Sequence, residues 1–278
     1  MERNSLAAVV RAGLAGLHDA EARVAQVVLE QGAALVHQSV SDVAGLAGTS
    51  ASTVVRACRR LGFRGYQELK LAAARETPQD DGPGDDADPT ARVLAATVRA
   101  GQEALGGLAA TLSPTDLRAA AEAIGHARRV LVAATGLSGA TAIDAAYRLR
   151  ALGLAVDLPP DPLTAHLAAE LLPESSVCLA ISHSGATRST VDTARRARAA
   201  GAQVVAVTSY ARSPLTELST WALVGGGQDL VFGMEAVAGR LAHLTVIDTL
   251  TMIVLALRGE PAERAVSASA EVTASHSY

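Results

Sequence analysis

The spacing of apolar positions changes twice along the chain and divides it into parts. Up to residue 76 they recur with a helical period. Ala22, Ala25, Val28 and Leu29 share one face of a helix that Asp19 can cap and that runs to about Gln31. Ser41 can cap a short helix through Ala47, and Gly48-Thr49-Ser50 gives a tight turn. Ser52 to Leu61 makes the next helix, stopped by Gly62, and another follows from Tyr66 to about Arg75. The pattern then breaks. Residues 77–90 carry three prolines, two glycines and five aspartates, a composition that builds no core and reads as an exposed linker.

Beyond the linker the periods alternate. Helices are predicted near 91–110 and 115–126, the second capped by Ser113 with Pro114 in its first turn. Short apolar runs follow at Val130–Ala134, Leu154–Leu158, Val177–Ile181, Val204–Thr208 and Trp221–Val224. Helical stretches separate the first four: one at 139–152, one after Pro162 and one ending at Gly201. Continuously apolar strands alternating with helices predict an α/β domain, a five-stranded parallel sheet covered on both faces. A long helix near 234–257 can cover one face, and the Ser/Ala/Glu-rich residues after Gly259 are expected to fray. The expected organisation is a helical domain at 1–76, a linker at 77–90, an α/β domain at 91–258 and a flexible tail at 259–278.

Composition adds three constraints. Hydrophobic residues make up 49% of the 278 but aromatics only 3%, so Ala, Leu and Val must supply the packing. Cys58 and Cys178 stand alone, without a CxxC pair or the density of a disulfide scaffold; they read as reduced residues of a cytoplasmic protein. No basic-then-apolar signal pattern opens the sequence, and the apolar stretch 241–257 contains His243 and Asp248. It is expected to be a buried helix, and no membrane partner is expected.

The net charge of -4 argues against a nucleic-acid partner until its distribution is read. Residues 1–76 hold nine basic and seven acidic side chains, and the acidic linker separates this modestly basic head from a nearly neutral body. Within the head, residues 41–56 have the order of a helix-turn-helix. Val43, Ala44 and Leu46 can form the inner face of the first helix, and Gly48 permits the bend. Val54, Val55 and Cys58 anchor the second helix, while Ser52, Thr53 and Arg56 are expected to point outward. A helix N-terminus with small hydroxyls and an arginine suits a DNA groove and its phosphate rims. Arg59, Arg60, Arg64, Lys70 and Arg75 extend the surface expected to contact phosphates.

In the body, two strand-to-helix loops carry the chemistry. Ser182-His-Ser-Gly-Ala-Thr187 offers three hydroxyls and a glycine where open α/β sheets bind anions. Thr135-Gly-Leu-Ser-Gly139 adds the hydroxyls of Thr135 and Ser138 from another strand. Each loop alone is equally well read as a capped helix start. The Walker lysine pattern, the GxGxxG fingerprint and metal-ligand spacings are absent from the sequence, so neither a cofactor nor a metal is expected.

The stretch Val54-Val-Arg-Ala-Cys-Arg-Arg-Leu-Gly-Phe-Arg-Gly-Tyr66 resembles the signature of RpiR-type bacterial transcription regulators. These join a helix-turn-helix to a sugar isomerase (SIS) domain, and Ser182-x-Ser-Gly-x-Thr187 is similar to the SIS phosphate motif. The resemblance implies a three-layer SIS fold in which Ser182, Ser184 and Thr187 bind phosphate. Ser138 would approach the sugar or its phosphate, and Glu235 and Arg240 would lie near the ligand or a dimer interface. Gly239 stands where the family often has serine, and the first loop is poorer in glycine than usual.

The expected function is therefore a DNA-binding regulator, at least dimeric, that senses a phosphorylated sugar and acts without catalysis. The main competitor is a phosphosugar isomerase with an accessory helical head. It would draw its acid or base from Glu235, His166, His183 or His243, which the sequence does not bring together. A protein-interaction module that has lost DNA binding is the third reading.

Overall fold

The computed structural model describes residues 6–74, 88–226 and 237–276. Arg75 and Glu235, both named above, lie outside the described residues. The chain forms two compact units, one containing the helical head and the other the sheet.

The head consists of α1 (Leu6–Gly13), α2 (Asp19–Gln31), α3 (Val40–Leu46), α4 (Ala51–Arg60) and α5 (Tyr66–Ala74). Short 3-10 segments follow α1 and α2. Two caps differ from expectation. Ser39, not Ser41, opens α3: its hydroxyl accepts from the Asp42 N–H while the Asp42 carboxylate accepts from the Ser39 N–H, a reciprocal box that Ser41 lacks. His18, not Asp19, is the cap residue of α2, its N–H donating to Glu21 Oε2 at 3.2 Å, while α4 opens at Ser50, which accepts from the Thr53 N–H. Val24, Val28, Val43, Val54, Ala57, Cys58 and Leu69 form the buried centre. Leu46, expected on the inner face, is exposed, because Val43 and Ala44 already fill the buried side of the short α3.

Residues further along form α6 (Pro89–Gly106), α7 (Leu108–Thr111) and α8 (Pro114–His126). Then β1 (Val130–Ala133), α9 (Gly139–Ala151), β2 (Val156–Asp157), α10 (Pro162–Glu170) and β3 (Val177–Ile181) alternate. They are followed by α11 (Arg188–Ala199), β4 (Gln203–Thr208), α12 (Pro214–Leu218), β5 (Trp221–Val224), α13 (Val237–Arg258) and α14 (Glu260–Ser275). All strand pairings are parallel, in the order β2-β1-β3-β4-β5.

Strand alternation builds two cores. Leu131, Ala133, Cys178, Ala180, Val204 and Ala206 face one way and pack with Ala169 of α10 and Val191, Ala194 and Ala197 of α11. The intervening residues, including Val132, Leu179, Val205 and Val207, are also buried, so both faces of the sheet are covered. Alanines at the helix positions let the helices lie close to the sheet, which is how so few aromatics suffice. Cys58 and Cys178 are free and buried, and burial pushes both thiols up to about 12, so neither is a ready nucleophile.

Among the described residues one helix, α13, is long and apolar enough to cross a membrane. It buries a stripe through Ala238, Ala242, Val246, Leu250 and Val254, the spacing of a helix seated on a protein core. The expected frayed tail is instead α14. Gly259 turns with φ 57°, Pro261 occupies the first turn with Glu260 and Glu263, and Ala262 is buried. Composition suggested fraying, but Ala-rich sequence with a proline start and an acidic first turn also suits a helix once one face finds a seat.

Candidate functional site

In the head the bend between α3 and α4 is braced from α2. Gly48 adopts φ 59°, a backbone that favours glycine. Arg23 donates from Nε to the Ala47 carbonyl at 3.0 Å and from Nη2 to that of Gly48 at 3.3 Å. Its role was not legible in the sequence, since an arginine on a helix face carries no local mark of what it reaches. The tip of α4 presents Ser52 to solvent, while Thr53 turns inward at 5% exposure. Thr53 is thus a correction to the expected outward set: its Oγ1 lies 2.9 Å from Ser50 Oγ and accepts from Arg56 Nη2 at 3.0 Å, work that holds the cap together.

The arginines of α4 are exposed but organised. Glu21 is buried, and its carboxylate lies 3.8 Å from Arg56 Nε and 3.3 Å from Arg60 Nε. One carboxylate thus orients two guanidinium groups; Arg56 also donates to Thr53 Oγ1, and Arg60 Nη1 donates to the Gly16 carbonyl at 3.2 Å, while both side chains stay exposed. Arg59 Nε donates to the Arg64 carbonyl at 3.4 Å, and Arg64 pairs with Glu68 at 3.4 Å. Lys70 does not join this surface. It is 4% exposed on the inner side of α5, a second correction: the i, i+4 spacing from Tyr66, also buried, turns it towards the core. What remains is an exposed row of Ser52, Arg56, Arg59, Arg60 and Arg64 around a helix of the length and polarity that enters a DNA groove.

In the sheet unit the strand order reverses direction at β1, whose neighbours are β2 on one side and β3 on the other. Open α/β sheets bind ligands at the carboxyl ends of such strands. The two expected loops emerge there, and the structure brings them together: Ser138 Oγ accepts from the His183 N–H at 3.4 Å. Gly185 turns with φ 61° and donates to the Ser182 carbonyl at 3.0 Å. Ser182 Oγ donates to Thr187 Oγ1 at 3.0 Å, and Ser184 Oγ accepts from the Ala186 N–H at 3.2 Å. Thr187 precedes α11 without a capping side-chain bond, so the first N–H groups of that helix remain available to an anion. Thr135 Oγ1 lies 2.8 Å from Ser189 Oγ, in the first turn of α11. Thr135 also lines a cavity of about 330 Å³; Ser138, Ser182, Ser184 and Thr187 are not among its lining residues.

His183 does not project to solvent. Its ring turns inward, with Nδ1 2.9 Å from Ser209 Oγ, which in turn lies 3.1 Å from His243 Nε2. His243 is held near pKa 4, first by burial and then by the proximity of His183. Gly239 is needed here because a Cβ would fall 2.6 Å from His183 Nδ1. Neither Ser209 nor this use of Gly239 was foreseen. His166 lies apart from the pair, its Nε2 3.2 Å from the Ser189 carbonyl. Among the described residues no group of three or more His, Cys, Asp or Glu side chains is placed to hold a metal ion.

Comparison with known proteins matches the same two regions. The helix-turn-helix domain of the rpiR family matches residues 4–80, and the SIS domain matches residues 123–261. An HTH-type transcriptional regulator of Caldanaerobacter subterraneus is 30% identical over 251 residues, 89% of each chain. The regulator HexR of Pseudomonas aeruginosa is 30% identical over 264 residues, 90% of this chain and 89% of that one. The chain belongs to the RpiR family of transcriptional regulators. Its fold extends over the whole of Vibrio vulnificus NanR, solved in complex with ManNAc-6P. The TM-score is 0.82, with 24% identity over 98% of this chain and 99% of that one. As an RpiR-family regulator the protein is a DNA-binding transcription factor, and α4 is the second helix of its helix-turn-helix.

Proposed function

We propose that the protein regulates transcription by sensing a phosphorylated sugar in its SIS unit and altering operator affinity in response. The carrying observation is the loop 182–187 at the carboxyl end of β3. It combines three hydroxyls, a glycine turn and an uncapped α11 start in one short segment, a constellation suited to a phosphate monoester. The phosphosugar bound by NanR, a protein of similar fold, supports the same ligand class.

The residues proposed to bind phosphate are Ser182, Ser184 and Thr187, with Thr135 and Ser138 beside them. Those proposed to contact DNA are Ser52, Arg56, Arg59, Arg60 and Arg64. The effector acts by binding the DNA-competent and DNA-incompetent states with different affinity, since equal affinity shifts neither. A closed dimer matches the two-fold symmetry of an operator, and the protein acts in the cytoplasm where that DNA is.

Binding rather than catalysis is proposed for the SIS unit. Both of its buried histidines engage Ser209, His183 through Nδ1 and His243 through Nε2, and burial holds His243 near pKa 4, neutral at physiological pH. The test pairs fragment-binding with turnover. Promoter-proximal DNA is retarded at low salt and released by a sugar phosphate or captured with it. No DNA binding at low salt, or turnover of a sugar phosphate at enzyme-like rates, overturns the proposal.

A further inference from the structure

The phosphate loop accounts for one end of a ligand, and the cavity beside it bears on the other. Its volume of about 330 Å³ lies within the range of small-ligand pockets. It adjoins the proposed phosphate site through both walls: Thr135 and Gly136 precede Ser138 in one loop, and Ser189 follows Thr187 in the other.

The lining is chemically one-sided. Pro159, Pro160, Pro162 and Ile143 give apolar surface, while Thr135, Ser189, Thr190 and Thr193 give hydroxyls. Three of those hydroxyls already have partners: Thr135 and Ser189 pair with each other, and Thr193 donates to the Ser189 carbonyl at 2.8 Å. Thr190 is different. It is 1% exposed, and its Oγ1 has no hydrogen-bond partner among the described residues. A buried hydroxyl without a partner is costly, so this one marks where a ligand hydroxyl or carbonyl is to be met.

Charge adds a second constraint. Among the described residues the cavity lining contains no Lys, Arg or His, and its one charged residue is Asp161. Asp161 accepts from Thr164 N–H and Oγ1 at 3.0 and 2.7 Å, and these bonds hold its carboxyl below the usual range. It therefore stays anionic across the physiological range, and although its exposure to solvent screens its field, it offers a second anion no favourable partner.

We infer that this cavity takes the uncharged carbon skeleton of the effector, and that the protein selects sugar monophosphates against sugar bisphosphates and phosphorylated sugar acids. The inference rests on the phosphate reading of loop 182–187.

Calorimetry on the full chain tests it with four probes: inorganic phosphate, a neutral hexose 6-phosphate, a hexose bisphosphate and a 6-phosphoaldonate. The neutral monophosphate, neutral in its skeleton and charged only at its phosphate, is expected to bind about tenfold more tightly than either sugar that carries a second anionic group, a difference of one decade in Kd. Thr190→Val keeps the side-chain shape. It should weaken the neutral monophosphate by roughly fivefold to tenfold and leave inorganic phosphate unchanged, the range of one lost hydrogen bond. Asp161→Asn, which can still cap α10, should narrow the gap between neutral and anionic sugars. Equal or tighter binding of the anionic sugars overturns the inference, as does a Thr190→Val variant that weakens both phosphate and sugar phosphate or neither. If inorganic phosphate and all the esters fail to bind, the phosphate reading itself falls and this inference with it. Phosphate binding without discrimination removes the inference alone.

Discussion

Ser182 donates its hydroxyl hydrogen to Thr187 Oγ1 at 3.0 Å, joining the two ends of the loop that precedes α11. The pairing keeps both oxygens turned towards each other, so an entering phosphate finds them already gathered. Ser182→Ala should remove one donor to a charged ligand, worth about 1.5–3 kcal/mol, and weaken phosphate-ester binding by tenfold or more. Calorimetric titration measures the loss. Thermal unfolding without ligand should change little, because the hydroxyl is not part of a helix or strand ladder. Unaltered affinity would place the phosphate elsewhere.

The head predicts a contrast between two cations. Arg59 is exposed on α4, whereas Lys70 is buried in α5. Every cation that neutralises a DNA phosphate releases counterions, which steepens the slope of log K against log salt by about 0.9. Arg59→Ala should make the slope shallower by that amount, measured by fluorescence anisotropy over a salt series. Lys70→Met should leave the slope unaltered even if it changes the stability of the head. A shallower slope for Lys70→Met would contradict the buried placement.

Much of this was written in the chain. The strands at Val177–Ile181 and Trp221–Val224 were legible to the residue, because continuously apolar runs between turn signals leave little choice of boundary. The Ser/Gly loops were visible from their position after strands. What local pattern could not show was direction. Thr53 and Lys70 have the chemistry of DNA contacts, yet their helical phase turns both inward. Ser39 and His18 hold the cap positions in place of Ser41 and Asp19, a matter of one or two residues set by the reach of single hydrogen bonds. Glu21, Arg23 and Ser209 act over 24 residues or more, and such partners emerge only when the fold closes.

The buried histidine pair predicts a pH response in stability. His243 titrates near pH 4 in the folded protein and near 6.5 when unfolded, first because burial penalises its charged form and next because of His183. Below pH 6.5 the unfolded chain therefore binds a proton that the native protein does not. The contribution is fully present above pH 6.5, declines as pH falls towards about 4, and changes no further below that. Its size is at most about 3 kcal/mol. Denaturant unfolding of wild type and His243→Gln over this window should give a stability difference that shrinks with acidification. Parallel curves would show that His243 does not carry the proton linkage.

The last helix offers a direct test of whether residues after Gly259 belong to the fold. Ala262 is fully buried, and Ala265 sits 3.1 Å from where a Cβ on Gly153 would lie, which seats α14 against the end of α9. Gly153 itself turns with φ 77°, so the small residue serves both the turn and the close approach. Ala262→Asp places an unpaired charge in that seat and should lower the unfolding free energy by about 2–4 kcal/mol. Ala268→Asp, on the exposed side of the same helix, should stay within about 0.5 kcal/mol. Equilibrium denaturation of the two variants separates the cases: a seated helix responds to one and tolerates the other, whereas a loose tail tolerates both.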